Sequence, residues 1–423
     1  LYGGCNKGDV LYYASEENKN DNTPNLGLQL KLDSPKLDID NVYGGCRIGN
    51  VHAHHIWMDA DSLYHREPVA LKGNEYGTTI HIVDGTYGRV FGGNDISGQV
   101  LSGTRIQIEG GKIGEVYGAG NGEYVYKYTD DVNKVDAVFD QQLQQFVCLV
   151  PGTGEEVNDF EKIQVIEKAR PNAAKTYLEI AGGQDEKTGK RRMAYVSGAL
   201  FAGGNCAKVI NEKNFEGKIY VDLGDYSVIN NVYLGSNGQK LIDPEYITNI
   251  LKYNQIFDIA QTDQNDRNIL DYLMDAVVMH GLPQNFRLHS NYDNCHIGSF
   301  FLGGARGSIA AHGTLQITFP KTLNIFNKIV GGSDRAKVSY QHDGQTLVHE
   351  GGILWDGIGE KPKIDLEVRS QFVNLEMDMD EKYASQNYLK QKGDGNEEAM
   401  QEVYAGCFGS GKIEGEVNVD LDE

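Results

Sequence analysis

Residues 90–122 read VFGGNDISGQVLSGTRIQIEGGKIGEVYGAGNG and state one pattern twice. An apolar residue and an aromatic residue are followed by two small residues, a polar turn and, eight or nine positions later, a valine. Searching outward from this stretch finds the same head at Tyr2, Tyr43, Phe91, Tyr117, Phe201, Tyr233, Phe301, Val330 and Tyr404. Two positions beyond each head stands glycine, with Ala119 the one departure. Eight positions beyond stand Val10, Val51, Val125, Val209, Leu241, Ile309 and Val338, and nine beyond stand Val100 and Ile413. Agreement at three positions across nine copies decides the architecture ahead of any local reading.

One unit has a physical interpretation. Glycine after the head supplies a turn conformation that a residue with a Cβ resists. The apolar residue at the eighth or ninth position opens a short strand. A second strand then alternates strictly, as in RIQIE (105–109), KIYVDL (218–223), TLQITF (314–319) and EVNVDL (416–421), the signature of a half-buried strand. A further turn leads into the strand of the next head. Each unit is thus three strands and three turns, one full coil, and the expected fold is all-β, a right-handed parallel β-helix. Stacking buries the inner face that a single coil leaves open, and the aromatic heads are expected to form an internal ladder.

The spacing of heads separates this from a kelch-type propeller. Gaps run from 26 residues (Phe91 to Tyr117) to 84 (Tyr117 to Phe201). A propeller blade needs four strands and a nearly constant length of about 50 residues, whereas a solenoid coil lets any turn swell outward. The long gaps are read as lateral insertions at about 127–172, 243–290 and 380–402. The second is expected to be helical, because Ile247, Ile250, Leu251, Ile256, Ile269, Leu270, Leu273 and Val277 recur at helical spacing. The third is charged, with a helix expected in EEAMQEVY (397–404).

Composition bounds the function. Fifty-two glycines, nine prolines and 40% hydrophobic residues describe an ordered, turn-rich chain of 423 residues. Thirty-nine basic against 60 acidic side chains give a net charge of −21, which repels phosphate backbones, so nucleic acid is not an expected partner. No apolar run approaches the roughly 20 residues of a membrane span, and no signal peptide is present. The chain opens on LYGGC, inside a head, and is expected to be a piece of a longer protein, residues 1–423 forming one solenoid flanked by further coils or domains.

Three groups of residues could carry chemistry. In VHAHHIWMDADSLYH, His52 and His54 share one face of a strand, with His55, Asp59, Asp61 and His65 nearby. That spacing suits zinc or copper, or the histidines cap the edge where an insertion leaves. Along KIDLEV and NLEMDMDE, outward Asp365, Glu367, Glu376, Asp378 and Asp380 alternate with inward Ile364, Leu366, Val368, Leu375, Met377 and Met379. Stacked carboxylates with Arg369 or Lys382 beside them would suit a polysaccharide lyase or hydrolase, or the row is solvated surface. Cys5, Cys46 and Cys407 stand three residues beyond their heads. Stacked coils would bring equivalent cysteines within disulfide range, or they stay reduced in a tight turn. Cys206 stands near the same turn, and Cys148 and Cys295 lie elsewhere. No nucleophile elbow, P-loop or dinucleotide fingerprint is present, so no catalytic residue, cofactor site or metal site is assigned.

The recurring VYGG–turn–V…I-x-I-x-GG unit resembles the glycine-rich repeats of large secreted or surface-anchored β-helix proteins of Gram-negative anaerobes, including gut bacteria. The resemblance implies export, a pectin-lyase-like right-handed β-helix and display outside the cell. The resulting expectation is a non-enzymatic surface scaffold or adhesin whose lateral loops meet a surface glycan, a protein ligand or neighbouring domains. The alternative is a polysaccharide lyase or glycoside hydrolase.

Overall fold

The computed structural model describes residues 1–6, 8–14, 27–58, 64–69, 76–123, 136–140, 145–149, 170–185, 188–210, 218–242, 270–271, 274, 277–281, 285–288, 295–342, 344–372, 375–377, 389–391 and 402–421. These residues are nearly all β and lie in long parallel sheets, an arrangement compatible with a parallel β-solenoid. No helix among them is long and apolar enough to cross a membrane.

The strands fall into three columns that the chain visits in fixed order. The head column contains 38–43, 86–91, Gly111–Tyr117, Ala194–Phe201, Ser227–Tyr233, Cys295–Phe301 and Leu323–Val330, and ends on Gln371–Phe372 and Glu402–Tyr404. Next comes a column of short strands: Val10–Ala14, Val51–Met58, Gln99–Val100, Asn172–Ala173, Lys208–Val209, Met279–His280, Ile309–Ala311, Gly352–Trp355 and Lys412–Ile413. The third column holds the alternating strands, from 28–32 and 78–82 through Thr104–Ile108, Lys175–Ile180, Lys218–Leu223 and Asn285–Leu288. Thr314–Phe319, Lys363–Val368 and Glu416–Leu421 continue the same role as a parallel three-stranded sheet.

Alternation sorts the side chains. Ile80, Ile82, Ile106, Ile108, Leu178, Ile180, Val221 and Leu366 are buried in one continuous core with Val42, Val90, Val116, Leu200 and Val232, each the residue before a head. The heads themselves form a separate cluster on the opposite face of their strand. The expected internal ladder therefore exists as a layer outside the main core. Tyr2, Tyr43, Phe91, Tyr117, Phe201, Tyr233 and Phe301 stack with centroids 4.5–5.0 Å apart and planes within 13°. Strand spacing of about 4.8 Å sets that distance. Aliphatic Val330 ends the stack, and Phe408 meets Phe301 edge-on instead, at 6.4 Å. Tyr404 packs edge-on against Phe408 rather than extending the stack.

A second ladder runs beside the rings, four residues beyond the heads. Asn121 donates from Nδ2 to Asp95 Oδ1 (3.0 Å), Asn205 to Asn121 Oδ1 (2.9 Å) and Asn237 to Asn205 Oδ1 (3.0 Å). Tyr2 donates its hydroxyl to Asp95 Oδ2 at 2.6 Å. Asp95 and the three asparagines are buried, so each would be costly without its partner. Burial and the Asp95 charge push the Tyr2 and Tyr43 hydroxyls well above the ordinary phenol range.

The head glycines have a different cause from the one expected. Gly45, Gly93, Gly203 and Gly235 do not have positive φ. Instead the neighbouring pass lies too close for a side chain: a Cβ on Gly45 would run into Asn94 Oδ1, and one on Gly235 into the backbone of Gly304.

The excursions also differ from expectation. After Tyr117 the short-strand position is filled by Ala173, after Tyr233 by Met279 and after Val330 by Ile353, each paired in register with its neighbours. Val125 lies outside the described residues, Leu241 belongs to a 3-10 turn (Gln239–Ile242), and Val338 sits in an antiparallel hairpin, Lys337–His342 with Gln345–Glu350. Over 243–290 only Leu270, Asp271 and Met274 are helical among the described residues, too few to show the expected helical insertion. Residues 243–269 lie outside the described residues, while Met279–His280 and Asn285–Leu288 are strands of the sheets. Val277, the last residue of the expected helical pattern, is buried, and two residues on Met279 enters the core as a strand residue. Of 127–172, the described part holds an antiparallel pair, Asp136–Asp140 with Gln145–Leu149, and Asn172 already belongs to the column. Of 380–402, Leu389–Gln391 pairs antiparallel with Leu375–Met377, and Glu402–Tyr404, where a helix was expected, is a head strand.

Candidate functional site

The outer face of the third column brings polar and aromatic side chains together across strands. Because Ile106, Leu178 and Ile219 point into the core, their alternates point out. Arg105, Tyr177 and Tyr220 are register partners on adjacent strands, and so are Gln107, Glu179 and Asp222. All six are half-buried. Thr79 and His81 continue these two rows on the preceding strand.

The rows interlock. Tyr76, Tyr177 and Tyr220 form a tilted staircase, with centroids 5.8 and 6.1 Å apart and planes at 50° and 34°. The Arg105 guanidinium lies 5.3 Å over the Tyr177 ring and holds Glu179 at 2.9 Å. Lys175 Nζ sits 4.3 Å from the centre of Tyr76. His81 Nε2 is 3.0 Å from Glu109 Oε1. Burial, and then the neighbouring Tyr177, push the Tyr76 hydroxyl up to about 12. The face therefore has a cationic border (Lys175 and its register partner Lys218), an aromatic centre and a carboxylate border.

Such a face can hold an extended ligand that lies across the strands. Tyrosine offers a flat apolar surface and a polar edge, and arginine and carboxylates offer paired hydrogen bonds to hydroxyl or acidic groups. Successive strands repeat the offer about every 4.8 Å.

The expected site residues fare differently. His52, His54 and His55 lie on Val51–Met58, parallel to Val10–Ala14 and antiparallel to Tyr64–Val69, which carries His65. Asp59 and Asp61 fall outside the described residues, and no metal-holding group of three or more His, Cys, Asp or Glu occurs among those described. Asp365 and Glu367 do point outward, opposite buried Ile364 and Leu366. Asn418 donates to Asp365 Oδ1 (2.8 Å), and Thr318 to Glu367 Oε2 (2.9 Å). Arg369 pairs with Glu367. The Thr318 and Arg369 contacts hold the Glu367 carboxyl below its usual range. The acidic row does not continue as expected, since Glu376 lies in the Leu375–Met377 hairpin, and Asp378, Asp380 and Lys382 fall outside the described residues. Cys5, Cys46, Cys206, Cys295 and Cys407 are free thiols.

The strip at Arg105 and Tyr177 was not singled out by the sequence. Its signal was present in the outward letters of RIQIE and KIYVDL, which the same register that aligns their isoleucines would have stacked. Comparison with protein-family models, with curated proteins and with solved structures returns no match for this chain.

Proposed function

We propose that the chain is part of an exported, non-enzymatic surface scaffold, a right-handed parallel β-helix of one continuous array, that acts as an adhesin for a glycan. The observation that carries this reading is the Tyr76–Tyr177–Tyr220 staircase, bordered by Arg105 and Lys175, on an otherwise strongly acidic chain. A flat sugar face would stack on the half-buried Tyr177 and Tyr220 rings, which the buried Tyr76 ring backs, and its hydroxyl or acidic groups would meet the two borders.

Retention on a panel of immobilised neutral and acidic glycans tests the reading. Wild-type protein is expected to be retained by at least one member, with Tyr177→Ala and Arg105→Ala releasing it while remaining folded. Equal retention of both variants would sink the assignment of this face. Protease shaving of intact cells that make the full-length parent tests display, since release by lysis alone would sink the surface reading.

A polysaccharide lyase or hydrolase is the second reading, favoured by Glu109, Glu179 and Asp222 sharing a long face with Arg105. Against it, Glu179 is tied to Arg105 and Glu109 faces His81, whereas a general acid needs a carboxyl held protonated in apolar surroundings. New reducing ends or unsaturated products, with or without calcium, would decide for the enzyme.

A further inference from the structure

The first two passes of the chain place two thiols at equivalent positions, three residues beyond Tyr2 and Tyr43. Backbone bonds fix the register around them: Gly4 N donates to Gly45 O (3.0 Å), and Arg47 N to Cys5 O (2.9 Å). Equivalent residues on neighbouring parallel strands lie about 4.8 Å apart at Cα, inside the 4.4–6.8 Å window of disulfides. The Cys46 sulfur already reaches the neighbouring pass, where it accepts from the Cys5 N–H at 3.4 Å. Asn94 Oδ1 holds the Cys46 N–H at 2.8 Å, which keeps the receiving turn in place.

We propose that Cys5 and Cys46 form an oxidisable pair, and that a small-molecule disulfide converts them into a covalent staple between the first two passes. Cys407, Cys206 and Cys295 each lack one or more of the required features. Cys407 has the equivalent place, but the residue facing it on the adjacent pass is Ser333. Cys206 and Cys295 are fully buried, and burial pushes both thiols up to about 12.

The chemistry balances with oxidised glutathione as the reagent. The exposed Cys5 thiolate attacks one glutathione sulfur, forming a mixed disulfide and releasing one glutathione thiolate, which takes a proton. Buried Cys46 then gives up its proton to solvent, and its thiolate attacks Cys5 Sγ. The Sγ–Sγ bond forms, the bond to glutathione breaks, and a second glutathione leaves. Two protein thiols are oxidised and one glutathione disulfide is reduced to two thiols. Burial pushes the Cys46 thiol up, so the second step accelerates as pH rises.

The test incubates the whole chain with oxidised glutathione under native conditions, followed by thiol counting and a non-reducing digest read by mass spectrometry. The staple predicts loss of two native thiols, a linked peptide carrying Cys5 and Cys46, and a rise in melting temperature that dithiothreitol reverses. Cys5→Ser is expected to remain folded and to yield neither the linked peptide nor the thermal shift. Cys46→Ser is expected to stop at glutathione on Cys5. Wild-type protein that carries stable glutathione on Cys5 beside a free Cys46, or that links Cys5 to any other cysteine, would overturn the proposal.

Discussion

The third column has the same interior at both ends and different exteriors. At Thr104–Ile108 and Lys175–Ile180, buried isoleucine and leucine alternate with Arg105, Tyr177 and Glu179, which contact one another across strands. At Lys363–Val368 and Glu416–Leu421, the same inward pattern alternates with Asp365, Glu367, Asn418 and Asp420. There Asn418 meets Asp365, Thr318 and Arg369 meet Glu367, no aromatic ring among the described residues joins them, and the last strand is largely exposed. Alternation thus dictates that something polar faces out and says nothing about what it does. The difference lies in cross-strand partners, where rings and guanidinium reach their neighbours and short carboxylates mostly meet solvent.

The largest expected effect tests the shared interior. Ile106 and Leu366 are both essentially without exposure and occupy equivalent inward positions. Truncating either to alanine is expected to cost about 2–5 kcal/mol through lost contacts and a residual cavity. Urea denaturation of Ile106→Ala and Leu366→Ala checks this. If Leu366→Ala cost less than about 1 kcal/mol while Ile106→Ala cost the full amount, the two ends would not share one kind of core.

An acid titration sharpens the contrast between buried and surface charge. His296, on the head strand Cys295–Phe301, is 9% exposed, and burial lowers it from 6.5 to about 4. His280 is lowered equally, by burial and then by Lys208, with Asp356 opposing. Above pH 6.5 both native and unfolded forms are neutral and the full stability is present. As pH falls from 6.5 to 4 the unfolded state binds a proton that the native state refuses, so stability drops by roughly 3 kcal/mol for His296. The surface carboxylate Glu367 is lowered below its ordinary range and loses its contribution only at more acidic pH. Urea midpoints at pH 7, 5.5 and 4.5 should fall in wild type and fall less steeply in His296→Gln. A parallel decline in both would remove His296 from the account.

The repeat was legible because it was written in residues that face inward or stack. Val10, Val51, Val100, Val209, Ile309 and Ile413 do lie in one column, and rings from Tyr2 to Phe301 do stack. Counting failed wherever an excursion intervened between a head and its partner. Val125, Leu241 and Val338 keep the spacing, but Ala173, Met279 and Ile353 take the places, since a column selects by position in space and the chain can return to it from any distance. The asparagine ladder was readable four residues past four heads, in Asp95, Asn121, Asn205 and Asn237, and its letters looked like ordinary turn residues. The candidate face was hidden for another reason. Tyr76, Arg105, Lys175, Tyr177 and Tyr220 come from four passes, and no local window contains more than two of them.

The smallest expected effect is the most informative about function. If the two exteriors differ as their contacts indicate, neutralising the acidic row should change almost nothing. Asp365→Asn keeps an acceptor for Asn418, and Glu367→Gln keeps one for Thr318, so neither leaves a buried group without a partner. The double variant should keep its urea midpoint and its retention on whichever glycan holds the wild type. Tyr177→Ala, by contrast, should weaken that retention roughly tenfold, about 1.4 kcal/mol, because it removes the central ring and frees the guanidinium stacked on it. The pair of variants reads the site independently of the fold, since both substitutions lie on the outer face of the same column. Retention lost by the acidic double variant and kept by Tyr177→Ala would move the functional face to the far end of the column, onto the carboxylates.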